Sequence, residues 1–225
     1  MSGPRVSCII PTFNSAQFLA AALESVRGQT YPHVELIVSD DGSSDGTEAI
    51  ARGSGAAFVR GERAGPAANR NRGVEHSTGE LLAFLDADDL WHPLKLELQI
   101  ARLARNPGLG GVTTMIQPFE NIRRTDEGWA PADEPARAAV PGFLTTTLVV
   151  RRAAFTRVGP LDPARWFSDS ADWFLRARAM NVPIELVPEI LTFHRVRPES
   201  LSRHRADESR REFLTLMRDK LRRER

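Results

Sequence analysis

The chain has 225 residues, of which 41% are hydrophobic and 26% charged, and its formal net charge is +1. That length suits one full-sized domain with a terminal appendage. The charge balance gives no footprint for nucleic acid, and the single cysteine, Cys8, excludes a disulfide framework. No apolar run approaches the ~20 residues of a membrane span. Met1-Ser2-Gly3-Pro4-Arg5 holds no signal-peptide core, so a cytoplasmic location is expected.

Strand and helix signals alternate from the start. Val6 to Ile10 is apolar and β-rich, and Phe18, Leu19, Ala22, Leu23 and Val26 then recur at helical spacing. Val34 to Val38 and Ala56 to Val59 read as strands, with a helix through Glu48, Ala49 and Ile50 between them and another over Pro66 to His76. Glu80 to Leu85 is a short buried strand, and Pro93 to Arg105 an amphipathic helix. This order predicts an α/β fold, a mostly parallel doubly wound sheet flanked by helices in three layers. Beyond Pro107 the spacing predicts strands at Gly111 to Gln117, Thr145 to Val150 and Ile184 to Val187, and helices at Arg152 to Val158 and Ala171 to Met180. Residues 118–141 read as a long irregular loop. The tail from Asp207 reads as an amphipathic helix with Phe213, Leu214, Met217 and Leu221 on one face, suited to packing on the domain, to a membrane surface or to a homodimer contact.

The chemistry concentrates in Leu85-Asp86-Ala87-Asp88-Asp89, where a buried strand runs into three carboxylates, two of them in a D-x-D spacing. The carboxyl edge of such a sheet is where ligands bind. Clustered carboxylates repel one another and call for a cation, and hard oxygen ligands suit Mg²⁺ or Mn²⁺ bridging to phosphate. A solvated helix cap is the competing reading, and Asp89 fits it, ahead of a helix starting near Pro93. An EF-hand is rejected, because the sixth position counted from Asp86 is Trp91 where that loop needs glycine. A second acidic strand end, Asp40-Asp41-Gly42-Ser43-Ser44-Asp45-Gly46-Thr47, offers acceptors for a nucleobase or ribose. The first strand–helix turn, Pro11-Thr12-Phe13-Asn14, lacks glycine, which argues against a dinucleotide site.

Taken together, Pro11-Thr12-Phe13-Asn14, Asp40 to Thr47, Arg70-Asn71-Arg72-Gly73 and Leu85 to Asp89 resemble, in order and spacing, the successive motifs of glycosyltransferase family 2. The resemblance covers the N-terminal half closely and continues more loosely through Gly159 to Asp162, Asp169 to Arg176 and Val187 to Glu189. It implies a GT-A fold over residues 1–205, with a nucleotide-sugar-binding half (1–105), an acceptor-side half (106–205) and a C-terminal helix (206–225). It also implies a nucleotide-sugar donor, a UDP-sugar by expectation, and an inverting, Mn²⁺- or Mg²⁺-assisted transfer. Carried over by position, Pro11, Thr12, Asn14 and Asp41 would line the nucleoside pocket beside Arg70. Asp86 and Ala87 would approach ribose and sugar, and Asp88 would ligate the metal with Asp86.

Two departures stand out. The acidic pair that often holds the family's base falls on Asp169-Ser170, and Ser170 cannot act as a base, so Asp169 is the expected general base, with Asp172 second. Asp169 fits a helix N-cap equally well. Many relatives close the last strand with R-x-H, whose histidine completes the metal shell; here that position is Arg197. Either His194 or His204 substitutes, or the ion has fewer protein ligands, or Arg197, able to clamp phosphate directly, takes over part of its role. The acceptor is expected to be a hydroxyl of a glycan, lipid-linked sugar, peptide or small metabolite, and no nucleic-acid partner is expected. Two rivals stay in view, a catalytically degenerate nucleotide-sugar-binding protein and a sugar nucleotidyltransferase. The latter would want an early glycine-rich loop for triphosphate, which this chain lacks.

Overall fold

In the computed structural model, which describes residues 3–126, 128–132, 137–197 and 205–223, the first half alternates strand and helix as the spacing predicts. It runs β1 (Val6–Thr12), α1 (Ala16–Arg27), β2 (Val34–Asp40), α2 (Thr47–Gly53), β3 (Ala57–Arg60), α3 (Pro66–Glu75), β4 (Leu81–Phe84), β5 (Leu90–Trp91) and α4 (Lys95–Arg105). The second half runs β6 (Gly111–Phe119), β7 (Ile122–Thr125), β8 (Gly128–Pro131), β9 (Val140–Pro141), a 3₁₀ turn (Thr145–Thr147), β10 (Val149–Arg151), α5 (Arg152–Val158), α6 (Asp169–Ala179), β11 (Ile184–Arg195) and α7 (Ala206–Arg223).

Among the described residues the main sheet has the order β3-β2-β1-β4-β10-β6-β11-β5, with β9 paired to β6. β1, β2, β3 and β4 are mutually parallel, β10 lies antiparallel between β4 and β6, and β11 runs parallel to β6. The alternation of β1 makes the layers. Val6, Cys8 and Ile10 pack to one side with Leu19, Leu23 and Val26 of α1 and Leu96, Ile100 and Leu103 of α4. Ile9 turns to the other side, with Ala67 of α3, Phe155 of α5 and Trp173 of α6. Helix α3 approaches β1 so closely that a Cβ at Gly73 would overlap the Ile9 side chain. That contact fixes Arg70, one turn earlier, over the carboxyl edge. Among the described residues, no helix is long and apolar enough to cross a membrane.

The structure corrects several expectations. Residues 118–141 are not simply a loop, since β7 and β8 form an antiparallel hairpin and β9 joins the main sheet. The expected strand over Thr145 to Val150 begins as a 3₁₀ turn because the Thr147 hydroxyl bonds the Gly142 and Leu144 carbonyls, at 2.6 and 2.8 Å. β11 does not stop at Val187; it passes Pro188 through register shifts and continues to Arg195. Asp89 precedes a strand, not a helix, and α4 starts only at Lys95. Helix α7 buries Leu216 and turns Glu212 to the body, leaving Phe213 and Leu214 of the expected inner face 47% and 58% exposed.

Lys95 is fully buried under the sheet, its Nζ 2.7 Å from Gln99 Oε1 and 4.2 Å from the Trp91 ring centroid. Burial lowers its pKa to about 7. Between that value and the ordinary lysine range the unfolded chain holds one more proton than the native one, so this group makes stability rise with pH. Urea titrations from pH 7 to 10 should show that rise in the wild type relative to Lys95→Met; parallel pH profiles would mean that Lys95 is charged in the fold.

Candidate active site

Four chain segments meet at the carboxyl edge of the parallel strands, namely the ends of β1 and β2, the acidic turn after β4, and the end of β11. Arg70 reaches in from α3. Its Nη2 donates to Asp86 Oδ1 at 2.5 Å and its Nη1 to Asp169 Oδ2 at 2.8 Å. The side chain is almost wholly buried, and its Nε has no partner among the described residues. Burial would favour losing the proton, but the two carboxylates more than offset it, and the guanidinium stays firmly charged. Arg70 thereby joins the D-x-D turn to the first residue of α6. Asp169 is itself only 8% exposed at its side chain. Burial raises its pKa, with Arg70 opposing.

Of the other expected residues, Asp88 carries Arg197, whose Nη2 and Nε lie 2.5 and 3.1 Å from Asp88 Oδ2. Ala87 is buried between the two acids. Asp172 forms an ion pair with Arg176 at 2.8 Å and opens onto a cleft between α6 and α7 lined also by Leu216 and Lys220. Thr12 is buried, and its hydroxyl donates to Asp40 Oδ1 at 2.9 Å. Pro11 is half-buried and Asn14 exposed at the rim; Asn14 has a φ of 47° and accepts the Ser44 N–H at 2.9 Å. Asp41 receives the N–H groups of Ala64 and Gly65 at 2.9–3.1 Å, which draws the 61–65 loop onto the edge. That loop lays the Arg63 guanidinium on the exposed Phe13 ring, 3.5 Å from its centroid.

The expected metal ligands Asp86, Asp88 and His194 are each drawn to a different cation or acid. His194 Nδ1 lies 3.0 Å from Asp89 Oδ1, and Asp89 also takes the Arg195 N–H at 2.9 Å. Asp89 is fully buried, so the cap role gives way to that of an anchor for β11. Its carboxylate raises the His194 pKa, while burial raises that of Asp89 itself. Among the described residues no three His, Cys, Asp or Glu side chains form a group fit for a metal ion. His204 lies outside the described residues.

Glu212 is a residue that sequence reasoning missed. From α7 its carboxylate accepts the N–H groups of Trp166, Phe167 and Ser168 at 3.1, 3.1 and 2.8 Å, and the Ser168 hydroxyl at 2.6 Å. Burial would raise its pKa, yet these donors outweigh burial and hold it below the usual carboxylate range. Ser168 is the N-cap residue of α6, so Glu212 pins the segment that delivers Asp169. The only sequence signal is an acid among the arginines of a charge-dense helix.

The sequence profile of glycosyl transferase family 2 matches residues 7–160. An uncharacterized glycosyltransferase of Nostoc sp. is 26% identical over 85% of this chain and 65% of its own length. An Escherichia coli enzyme, UDP-Glc:alpha-D-GlcNAc-diphosphoundecaprenol beta-1,3-glucosyltransferase WfgD, is 39% identical over 45% of this chain and 42% of its own. The solved mannosyltransferase PcManGT of Pyrobaculum calidifontis, in complex with GDP-Man and Mn²⁺, superposes with a TM-score of 0.72 at 21% identity, covering 96% of this chain and 65% of that one. The chain thus spans less than two thirds of each of these proteins, and the structural likeness establishes the expected GT-A fold.

Glu212→Ala should lower unfolding stability by about 2–3 kcal/mol, the scale of charge-assisted hydrogen bonds lost to a buried segment. The exposed Asp207→Ala on the same helix should change it by under about 0.5 kcal/mol. Equal urea midpoints for the two variants would remove Glu212 from this role.

Proposed function

Because the chain belongs to glycosyltransferase family 2, we propose that it transfers a sugar from a nucleotide-sugar donor, a UDP-sugar, to an acceptor hydroxyl with inversion. The observation that carries this reading is the Asp86–Arg70–Asp169 bridge, which sets a buried carboxylate of the second half directly against the strand-end acids of the first. WfgD, whose name specifies a UDP-glucose donor, supports the choice of UDP. We assign the donor to residues 1–105 and the acceptor to the face built by 106–205.

In this reading the nucleoside lies along Pro11, Thr12, Asn14 and Asp41 beside Arg70, with Asp86 and Ala87 toward ribose and sugar. Asp169 takes the proton of the acceptor hydroxyl. The acceptor oxygen then forms a bond to the anomeric carbon as the bond to the diphosphate oxygen breaks, and the electron pair leaves with the nucleoside diphosphate. Burial suits Asp169 to this work, because a carboxylate with a raised pKa is a stronger base. Asp172 is the weaker candidate, its charge already met by Arg176. The residues present do not fit a divalent ion as the sequence led one to expect, since Asp86 and Asp88 are each already paired with a guanidinium, so no step is assigned to a metal.

Asp169→Asn should keep donor binding while cutting turnover by ~10²–10⁴, the range of a general base. The wild-type kcat/KM should fall with acidification at a pH above the ordinary aspartate range, because protonation of Asp169 removes the base, and the variant should lose that limb. Unchanged turnover in Asp169→Asn would move the role to Asp172. A thermal-shift panel of UDP, GDP, dTDP and CDP tests the donor; at ~100 times Kd a bound nucleotide adds about 2.7 kcal/mol. A shift with GDP alone would overturn the choice of UDP.

A further inference from the structure

Every acid in the turn after β4 has its own basic partner. Asp86 has Arg70, Asp89 has His194, and Asp88 has Arg197 through two N–H groups on one oxygen. Arg197 is also fixed from behind, its guanidinium 4.5 Å from the centroid of Phe18 of α1. Arg195, two residues earlier, donates from Nε to the Asp88 carbonyl at 2.9 Å and lies between Phe18 and Phe119. Asp88 is thus held by backbone and side chain to two arginines of one strand end.

A divalent ion at Asp88 would have to displace or sit beside a guanidinium already in hydrogen-bond contact, and like charges that close repel one another. The arginine needs no displacement to meet a phosphate. Among the described residues, Asp88 engages two of its five N–H donors, which leaves three to face a ligand. Both side chains are partly exposed, so those donors are within reach of solvent.

We propose that Arg197, aimed by Asp88, supplies the positive charge that receives the leaving diphosphate, so that this chain binds and uses its donor without a divalent metal. The inference rests on the nucleotide-sugar reading above. As the anomeric C–O bond breaks, its electron pair goes to the diphosphate oxygen, and Arg197 stabilises that oxygen by hydrogen bonds while keeping its own proton. The acceptor proton goes to Asp169, so the step needs no further reactant.

Calorimetric titration of the full chain with UDP and with GDP, each in EDTA and in Mn²⁺, tests this. Affinity for whichever nucleotide binds should differ by less than about threefold between the two buffers. Arg197→Ala should weaken it about tenfold or more in both, as expected for loss of a charged hydrogen-bonding partner. Arg197→His, able to ligate a metal, should bind poorly in EDTA and recover in Mn²⁺. Wild-type binding that requires Mn²⁺, or Arg197→Ala binding as tightly as wild type with an unchanged Tm, overturns the inference and leaves the nucleotide-sugar reading intact. Binding of neither nucleotide in either buffer overturns both.

Discussion

The Arg70 guanidinium is the interaction on which the rest of this edge depends. A charge buried this deeply costs several kcal/mol to desolvate, and it persists because two carboxylates from distant parts of the chain converge on it. Asp86 comes from the parallel half and Asp169 from the start of α6, so the ion triad fixes the two halves across the sheet. Its placement follows from the core. Gly73 lets α3 sit against Ile9, and that depth brings Arg70 to the strand ends. Removing either acid would leave the arginine half-paired, with a Nε that already lacks a partner among the described residues.

Around this triad, other acids act on backbone. Asp41 gathers the N–H groups of Ala64 and Gly65, Asp89 takes that of Arg195, and Glu212 takes three in succession at residues 166–168. A carboxylate in such a position satisfies donors that a turn leaves open and draws a second segment to the edge. The acids therefore divide in two. Asp41, Asp89 and Glu212 chiefly pin backbone, Asp41 with Arg72 3.5 Å away as well, whereas Asp86, Asp88 and Asp169 are held chiefly by guanidinium groups.

This division explains what the sequence revealed. The strands β1 to β4, the edge where they end and the D-x-D turn were legible, because short apolar runs bounded by turn residues read as strands and those of β2 and β4 lead into acids. Asp89 was not, since a helix cap and a buried pin share one composition and only the tertiary fold brings Arg195 to it. β11 looked complete at Val187 because proline marks a strand end locally, while pairing with β6 carries it on through a bulge. The inner face of α7 was misread for a similar reason. Its apolar stripe favours Phe213 and Leu214 turned inward, but three open N–H groups reward one carboxylate more, and Glu212 sets the rotation. Propensity counts the stripe and does not count donors on another segment.

The pairing of acids with arginines also prepares the site for a ligand. Acids gathered for a metal repel one another until the ion arrives, so such an edge is organised by its cofactor. Here each acid is compensated within the chain, and the compensating arginines are themselves seated on Phe18 and Phe119. The geometry is therefore paid for by folding rather than by metal binding. A preorganised cation loses little entropy when phosphate arrives, and a planar guanidinium fixes orientation as well as charge. The arginine just past the end of β11 thus bears on more than one contact. In the metal-free binding inferred above, it places the positive charge of the site on the polypeptide, with Asp88 as its orienting partner.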